Sequence, residues 1–402
     1  MSQADVSALR IEHGHTVSAI GIAARVAPGG FVGPDGSIDL DALREHVVGR
    51  VAGIPRLRQR LGGTRREPRW VDCPVDITAH VRTGTAATLA DLLSARAPRS
   101  LPRDLPLWEL VVAPGPGVAF VVLRIHHAIA DGLNAIMLLV GLFDGTSPPG
   151  PARVVSVPQR RGWRTVASGI HRTAVTMWAR TPPTALLGPL GPRVGIGFAE
   201  VDLVALARGA ESRGVTVNDA LLGAVAAGID ALLSALREAA PPSLRVSVPV
   251  ALPRTGGSGN RVGVMLAELP LEVSDPDARL RTIAEQTIAA KTDARSRGSL
   301  ELVRSRIGMR LLRVIAARQR LIAGFVTNVP GPPAALSLAG APICSAWPIS
   351  GLGGNVRLAV AALSYNGRLE VTVQVDADAL PVGEFTGALQ AELTRVSRRG
   401  PQ

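Results

Sequence analysis

Between Gly145 and Ala199 the chain carries no aspartate or glutamate, and this gap does most to limit what the sequence can fold into. Seven arginines (Arg153, Arg160, Arg161, Arg164, Arg172, Arg180 and Arg193) and proline clusters at both ends set the stretch apart from either flank. Proline and glycine punctuate regular structure, so a segment of this kind is expected to join folded units. At 402 residues and 47% hydrophobic content the chain has material for two such units, since a domain typically takes roughly 150 residues. The expected division is a first unit at 1–150, a basic proline-rich connector at 151–198 and a second unit at 199–402. Within the connector, Trp163, Val166, Ile170, Ala174 and Met177 recur at helical spacing. They predict an amphipathic helix packed on the two units, with a lipid surface as the alternative partner.

Each flank mixes helix with strand. In the first, 16–27 is β-branched and apolar and 39–51 has helical spacing. The apolar runs 108–112 and 117–125, joined by Ala113-Pro-Gly-Pro116, form a hairpin pattern, and a helical run follows Gly132 as far as Phe143. The second flank reads as a helix at 217–236, strands at 244–252 and 263–269, and a helix at 278–320. Strands at 325–329, 357–365 and 369–375 and a last helix at 382–398 follow. An α/β fold is the expectation for both.

The formal charge of +12 comes from 44 basic against 32 acidic residues, and Lys291 is the one lysine. Arginine richness with scarce lysine and few aromatics matches the bias of a GC-rich genome. Dispersed arginines and 3% aromatic content give little for stacking bases, so a nucleic-acid partner is not expected. Cys73 and Cys344 fit neither a zinc pattern nor a redox pair and are expected as buried thiols in a reducing compartment. The first twenty residues lack the basic end and apolar run of a signal peptide, so no export is expected. The longest apolar stretch, 220–236, is broken by Asp230 and predicts no membrane span. A cytoplasmic protein that meets a membrane, if at all, only at its surface is the resulting expectation.

One segment carries chemistry: Leu123-Arg-Ile-His-His-Ala-Ile-Ala-Asp-Gly132. An apolar strand runs into His126 and His127, and Asp131 and Gly132 then open a helix. Adjacent strand residues point to opposite faces, so one histidine is expected to act as a base and the other to serve the structure. Histidine suits proton removal from an alcohol near neutral pH, and a positioned general base contributes about a hundred- to ten-thousandfold in rate. Further along, Asn218 and Asp219 stand at a helix start, where short polar side chains cap free amides or meet a substrate. Thr327-Asn328-Val329-Pro330-Gly331-Pro332 ends a strand in turn chemistry. The cluster Gly351-Leu-Gly-Gly354 lacks the strand and helix context of a phosphate loop.

The His126-to-Gly132 segment resembles the HHxxxDG signature of the superfamily that holds chloramphenicol acetyltransferases and peptide-synthetase condensation domains. With Pro106-Leu107-Trp108, Val217-Asn218-Asp219, Gly259-Asn260, the Thr327 block and Ser364-Tyr365-Asn366-Gly367, the chain resembles the bacterial wax ester synthase/diacylglycerol acyltransferase family, abundant in actinobacteria. That resemblance spans about 47–390. It implies two chloramphenicol acetyltransferase-like α/β sandwich subdomains with a tunnel between them, entered by an acyl thioester and an acceptor alcohol. On the same resemblance His127 is the base of a direct transfer from acyl-coenzyme A to diacylglycerol or a fatty alcohol, with no acyl-enzyme, no metal and no cofactor. His126, Asp131 and Gly132 shape the catalytic turn, and Asp131 pairs with Arg254 or, second, Arg261. Pro106, Leu107, Trp108, Asn218, Asp219, Thr327 and Asn328 are its expected substrate-side residues, with Asn218, Thr327 or local amides as oxyanion donors. The chain has no Gly-x-Ser-x-Gly elbow before a helix, in keeping with a mechanism that uses no covalent nucleophile.

Arg10-Ile-Glu-His-Gly-His-Thr16 stands where the family has a Pro-Met-His element, and the connector is short; both bear on the acceptor. In the helix expected around 303–322, Arg306, Arg310, Arg313 and Arg320 oppose Val303, Ile307, Leu311 and Val314. This stripe would face solvent, anionic lipid or cofactor phosphates. Two other functions fit the same residues: acyl transfer from a carrier protein to another acceptor, and a catalytically inactive lipid-binding homologue.

Overall fold

A computed structural model describes residues 1, 3–64, 67–130, 135, 138–145, 181–251, 262–297 and 319–398. The first sheet contains β1 (Ala19–Val26), β4 (Val81–Thr83), β5 (Trp108–Gly115) and β6 (Val118–His126). The helix α1 (Gln3–Ile11) precedes β1, and α2 (Leu40–Ala52), α3 (Ile77–His80) and α4 (Leu89–Arg96) lie between these strands in sequence. A separate ribbon pairs β2 (Gln59–Gly63) with β3 (Pro68–Asp72). The helix expected at 39–51 is α2, and Asp39 caps it by accepting the Ala42 amide.

The hairpin expected near Trp108 is β5–β6, but its turn lies at Pro116-Gly117, two residues past the Ala113–Pro116 midpoint. Gly117 sits at φ +64°, which only glycine adopts freely, so the strands extend to Gly115 and Val118. That turn sets the register and places Glu109 opposite Arg124.

The second sheet runs β7 (Val194–Asp202), β14 (Arg368–Asp376), β13 (Leu358–Tyr365), β10 (Gly324–Pro330), β8 (Ser243–Ala251) and β9 (Val262–Pro270). β10 is parallel to β13 and β8, and the other pairs are antiparallel. Asn366-Gly367, both at positive φ, make the tight turn between β13 and β14. Helices α5 (Leu203–Glu211), α6 (Val217–Ala235), α7 (Pro276–Arg297) and α8 (Val382–Ser397) pack on one face over a continuous apolar core. By length and composition α6 could cross a membrane, yet most of it is buried within that core. A helix apolar on nearly all sides is what a buried central position requires.

Three features depart from the sequence reading. The segment 181–193 belongs with the second unit: Leu186 lies in its core, the Ala185 amide reaches Glu238, and the Gly191 amide reaches Asp376. β7 then starts at Val194, inside the stretch read as connector. More far-reaching, β11 (Ser337–Leu338) and β12 (Ala341–Ile349) join the first sheet, giving it the order β11-β12-β1-β6-β5-β4. Thirteen residues from the second half of the chain therefore span 337–349 and tie the two units together through the β1–β12 ladder. Cys344, on the outward side of β12, is exposed and Cys73 is half-buried, so neither is the buried thiol expected.

Candidate active site

The end of β6 separates the two histidines. Along the strand Val121, Leu123 and Ile125 enter the first core, while Phe120, Val122, Arg124 and His126 take the other face. His126 is 1% exposed, whereas His127, one residue on, is exposed. Backbone bonds pin both. The His126 amide donates to the Leu107 carbonyl at 2.9 Å, the His127 amide to the Ser18 carbonyl at 2.7 Å, and the Ile129 amide to the His126 carbonyl at 2.9 Å. The Pro106–Trp108 block thus meets the histidine turn through its backbone.

Its side chains go elsewhere. Pro106, Leu107 and Trp108 are buried, and the Trp108 indole donates to the Leu57 carbonyl at 2.9 Å. The indole also stacks on His80, with ring centroids 4.2 Å apart. Trp108 therefore braces the core behind the histidines.

The His126 ring has a defined environment. Its Nδ1 accepts the Ala128 amide at 2.9 Å, and its Nε2 lies 3.4 Å from Glu12 Oε1. Glu12 Oε1 also accepts the Ser18 amide at 2.9 Å, and Oε2 accepts Arg103 Nη2 at 3.0 Å. Burial alone would raise the Glu12 pKa, but His126, the Ser18 amide and Arg103 outweigh it and bring the carboxyl down to about 2. Glu12 is therefore a firm carboxylate beneath the turn.

Two residues before His126, and on the same face, Arg124 enters a second buried network. Its Nε donates to Glu109 Oε1 at 2.8 Å, and Arg82 and Arg96 also reach Glu109. Burial raises the Glu109 pKa, but Arg124 and Arg96 overcome it and hold the carboxyl below its ordinary range. Neither network was expected from the sequence. An acid and a base placed inside otherwise apolar strands, at equal distances from a hairpin turn, was the available signal for Glu109 and Arg124.

A narrow cleft of about 20 Å³ lies between the units, lined by Val17, Ala19 and Arg124 on one side and by Gly191, Ser350 and Gln374 on the other. Ala19 is the ladder partner of His126, so the cleft lies on the His126 side of the strand end. His127, Asn218, Thr327 and Asn328 do not line it. Asn218 and Asp219 stand at the start of α6, in the second unit. Asp219 is fully engaged there: it closes a capping box with Thr216, and its Oδ1 accepts the Thr287 hydroxyl of α7 at 2.7 Å. Asn218 is half-buried. Thr327 and Asn328, also half-buried, lie in β10 between β13 and β8. Among the described residues none of these four hydrogen-bonds to His126 or His127.

Asp131, Gly132, Arg254 and Arg261 lie outside the described residues, as do the helix expected around Trp163 and most of the arginine stripe at 303–322. Arg320, from that stripe, donates to the Thr181 carbonyl at 2.9 Å. Among the described residues no group of three or more metal-ligating side chains occurs.

Comparison with known proteins gives a consistent set of relatives. The wax ester synthase/diacylglycerol acyltransferase catalytic domain model matches residues 1–172, and the C-terminal domain model of the same family matches 258–396. A putative diacylglycerol O-acyltransferase of Mycobacterium tuberculosis is 28% identical over 386 residues, covering 82% of this chain and 77% of its own. A probable diacylglycerol O-acyltransferase of the same organism is 26% identical over 413 residues, covering 90% and 89%. The wax ester synthase/diacylglycerol acyltransferase of Marinobacter aquaeolei superposes with a TM-score of 0.75 at 22% identity over 98% of both chains. The starter condensation domain of rhizomide synthetase does so with a TM-score of 0.62 at 13% identity, covering 99% of this chain and 93% of its own.

Proposed function

The chain belongs to the wax ester synthase/diacylglycerol acyltransferase family and is an O-acyltransferase, and from that premise we propose that it moves a long-chain acyl group from coenzyme A to a lipid alcohol. The product is triacylglycerol when the alcohol is diacylglycerol and a wax ester when it is a fatty alcohol. The observation that carries the residue assignment is the division of labour at the end of β6. His126 is enclosed and has one ring nitrogen committed to the Ala128 amide, which leaves the exposed His127 as the imidazole open to an incoming hydroxyl.

In this mechanism His127 takes the hydroxyl proton as the alcohol oxygen attacks the thioester carbonyl. The tetrahedral intermediate collapses with cleavage of the carbon–sulfur bond, and the imidazolium returns the proton to the leaving thiolate. Acyl-coenzyme A and alcohol become ester and coenzyme A, with no covalent enzyme intermediate and no cofactor. A donor aimed at the oxyanion is worth about 2.7–4 kcal/mol in such a step. Thr327 and Asn218 are the side-chain candidates, since neither side chain makes a hydrogen bond to a described residue. The chain works in this scheme on the cytoplasmic side, as a peripheral visitor to a membrane or lipid-droplet surface where both substrates partition.

The test incubates purified protein with labelled palmitoyl-coenzyme A and a panel of diacylglycerol, fatty-alcohol and glycerol-phosphate acceptors. Ester formation that falls about a thousandfold in His127→Ala is the expected result, within the range of a general base. No ester with any acceptor, together with thioester consumption equal in wild type and His127→Ala, would overturn the proposal.

A further inference from the structure

We infer that Glu12 is a positioning residue for His127, acting through a buried latch made with His126, Ser18 and Arg103. The inference rests on the reading of His127 as the base and adds to it a residue that follows α1.

The latch follows from donor and acceptor accounting. The Ala128 amide can only donate, so His126 Nδ1, 2.9 Å away, must present its lone pair. In the neutral ring the proton is then on Nε2, the nitrogen that lies 3.4 Å from Glu12 Oε1, a contact outside hydrogen-bond geometry that acts through charge. The His126 side chain is 1% exposed and that of Glu12 is 6% exposed. The contact is therefore sheltered from water, where a charge-assisted interaction is strongest. Glu12 is itself fixed from two further directions, by the Ser18 amide at 2.9 Å and by Arg103 at 3.0 Å, and Arg103 also donates to the Leu9 carbonyl at 3.0 Å.

Ser18 closes the circuit. Its amide is held by Glu12 Oε1, and its carbonyl accepts the His127 amide at 2.7 Å. One carboxylate thus controls both neighbours of the base: the ring of the preceding residue, and the backbone group to which the base's own amide is tied. Glu12 directly follows α1, which ends at Ile11, so the latch also transmits the position of that helix to the catalytic turn. Without the negative charge the His126 ring keeps the Ala128 amide but loses its contact at Nε2, Arg103 keeps the Leu9 carbonyl but loses its counter-charge, and the turn from His126 to Ile129 is held less firmly. A displacement of about 1 Å at a reacting group costs on the order of a hundredfold in rate. Glu12 touches no reacting atom in this arrangement, so its loss acts on the rate of the chemical step while leaving donor binding in place.

The test uses the full chain, in wild-type form and as Glu12→Gln and Glu12→Asp. With selective ¹⁵N-histidine labelling, long-range proton–nitrogen correlation spectra of the seven histidines, assigned with a His126→Gln control, report which ring nitrogen of His126 carries the proton. The expected wild-type result is protonation at Nε2 with Nδ1 bare. In the ester assay Glu12→Gln is expected to lower kcat by about 10- to 100-fold with KM for palmitoyl-coenzyme A changed by less than about twofold. Glu12→Asp, which keeps the charge, is expected to recover part of kcat. A wild-type spectrum with the proton on Nδ1 would overturn the latch and needs no variant to fold. So would a Glu12→Gln enzyme with unchanged kcat, or one in which KM rises while kcat holds. If wild-type protein forms no ester, the acyltransfer reading fails on that assay, while the spectrum still decides the latch.

Discussion

Glu370 offers a quantitative test of how the two units are joined. It lies in β14, fully buried, and its Oε2 accepts the amide of Ala346 in β12, a strand of the other sheet. Its Oε1 has no partner among the described residues, and neither have Trp347 Nε1 and Thr372 Oγ1 nearby. Burial raises the carboxyl most, the Ala346 amide lowers it, Glu200 raises it, and Arg368 and Arg25 lower it; the balance is a pKa of about 7 against an ordinary 4.5. Burial and the Glu370 charge raise the pKa of Tyr365, while the Leu336 amide lowers it. A raised carboxyl pKa means that the folded protein holds the proton more tightly than the unfolded chain. The contribution is complete below about pH 4.5 and is lost as pH rises through about 7. At about 1.4 kcal/mol per pH unit, ionising Glu370 in place costs on the order of 3 kcal/mol.

Glu370→Gln preserves the shape and the acceptor for Ala346 while removing the ionisation. Urea denaturation followed by tryptophan fluorescence should find the two proteins closely matched at about pH 4, below the unfolded pKa. At pH 8.5 the variant should be more stable by about 3 kcal/mol, as this linkage requires. Parallel pH–stability curves for wild type and variant would refute the reasoning, because the carboxyl would then be ionised at no cost in the folded state.

Two further substitutions examine the interior behind the histidines. Glu109→Gln leaves Arg124 buried and Arg96 largely so, without their counter-charge, and should cost about 3–5 kcal/mol in the same denaturation measurement; a change below about 1 kcal/mol would show that the cluster is not held by that carboxylate. Trp108→Phe orphans the Leu57 carbonyl and should cost about 1–3 kcal/mol with KM for the acyl donor unchanged. A rise in KM at constant stability would instead make the indole a substrate contact.

Several elements were legible because their signals are local. The α2 helix starts at the Asp39 cap and follows its apolar spacing, and the thirteen residues it comprises match the expected 39–51 to within a residue. The strand 325–329 ends in Pro330-Gly331, and the Asn366-Gly367 turn joins strands whose bounds follow the apolar pattern. Opposed side-chain directions at a strand end were enough to anticipate that His126 and His127 would differ. β12 was not legible: the run from Ala341 to Ile349 contains two prolines and alternates irregularly in burial. Glu12 was visible only as a departure from a family pattern, because its partners His126 and Arg103 are about a hundred residues away in the chain.

By itself the sequence determined the α/β class and the hairpin that delivers two histidines to a strand end. Each of these depends on propensity and periodicity within a few neighbouring residues, where local sterics and hydrogen bonds decide the outcome. Tertiary structure alone decided that β12 crosses to the first sheet, that the even-numbered residues of β14 from Glu370 to Asp376 are buried, with Glu370 bonded to β12, and that Glu12 lies under His126. An alternating strand shows that one face is apolar but does not say whether the polar face meets water or another sheet. That choice rests on contacts between segments far apart in the chain, which no local pattern encodes.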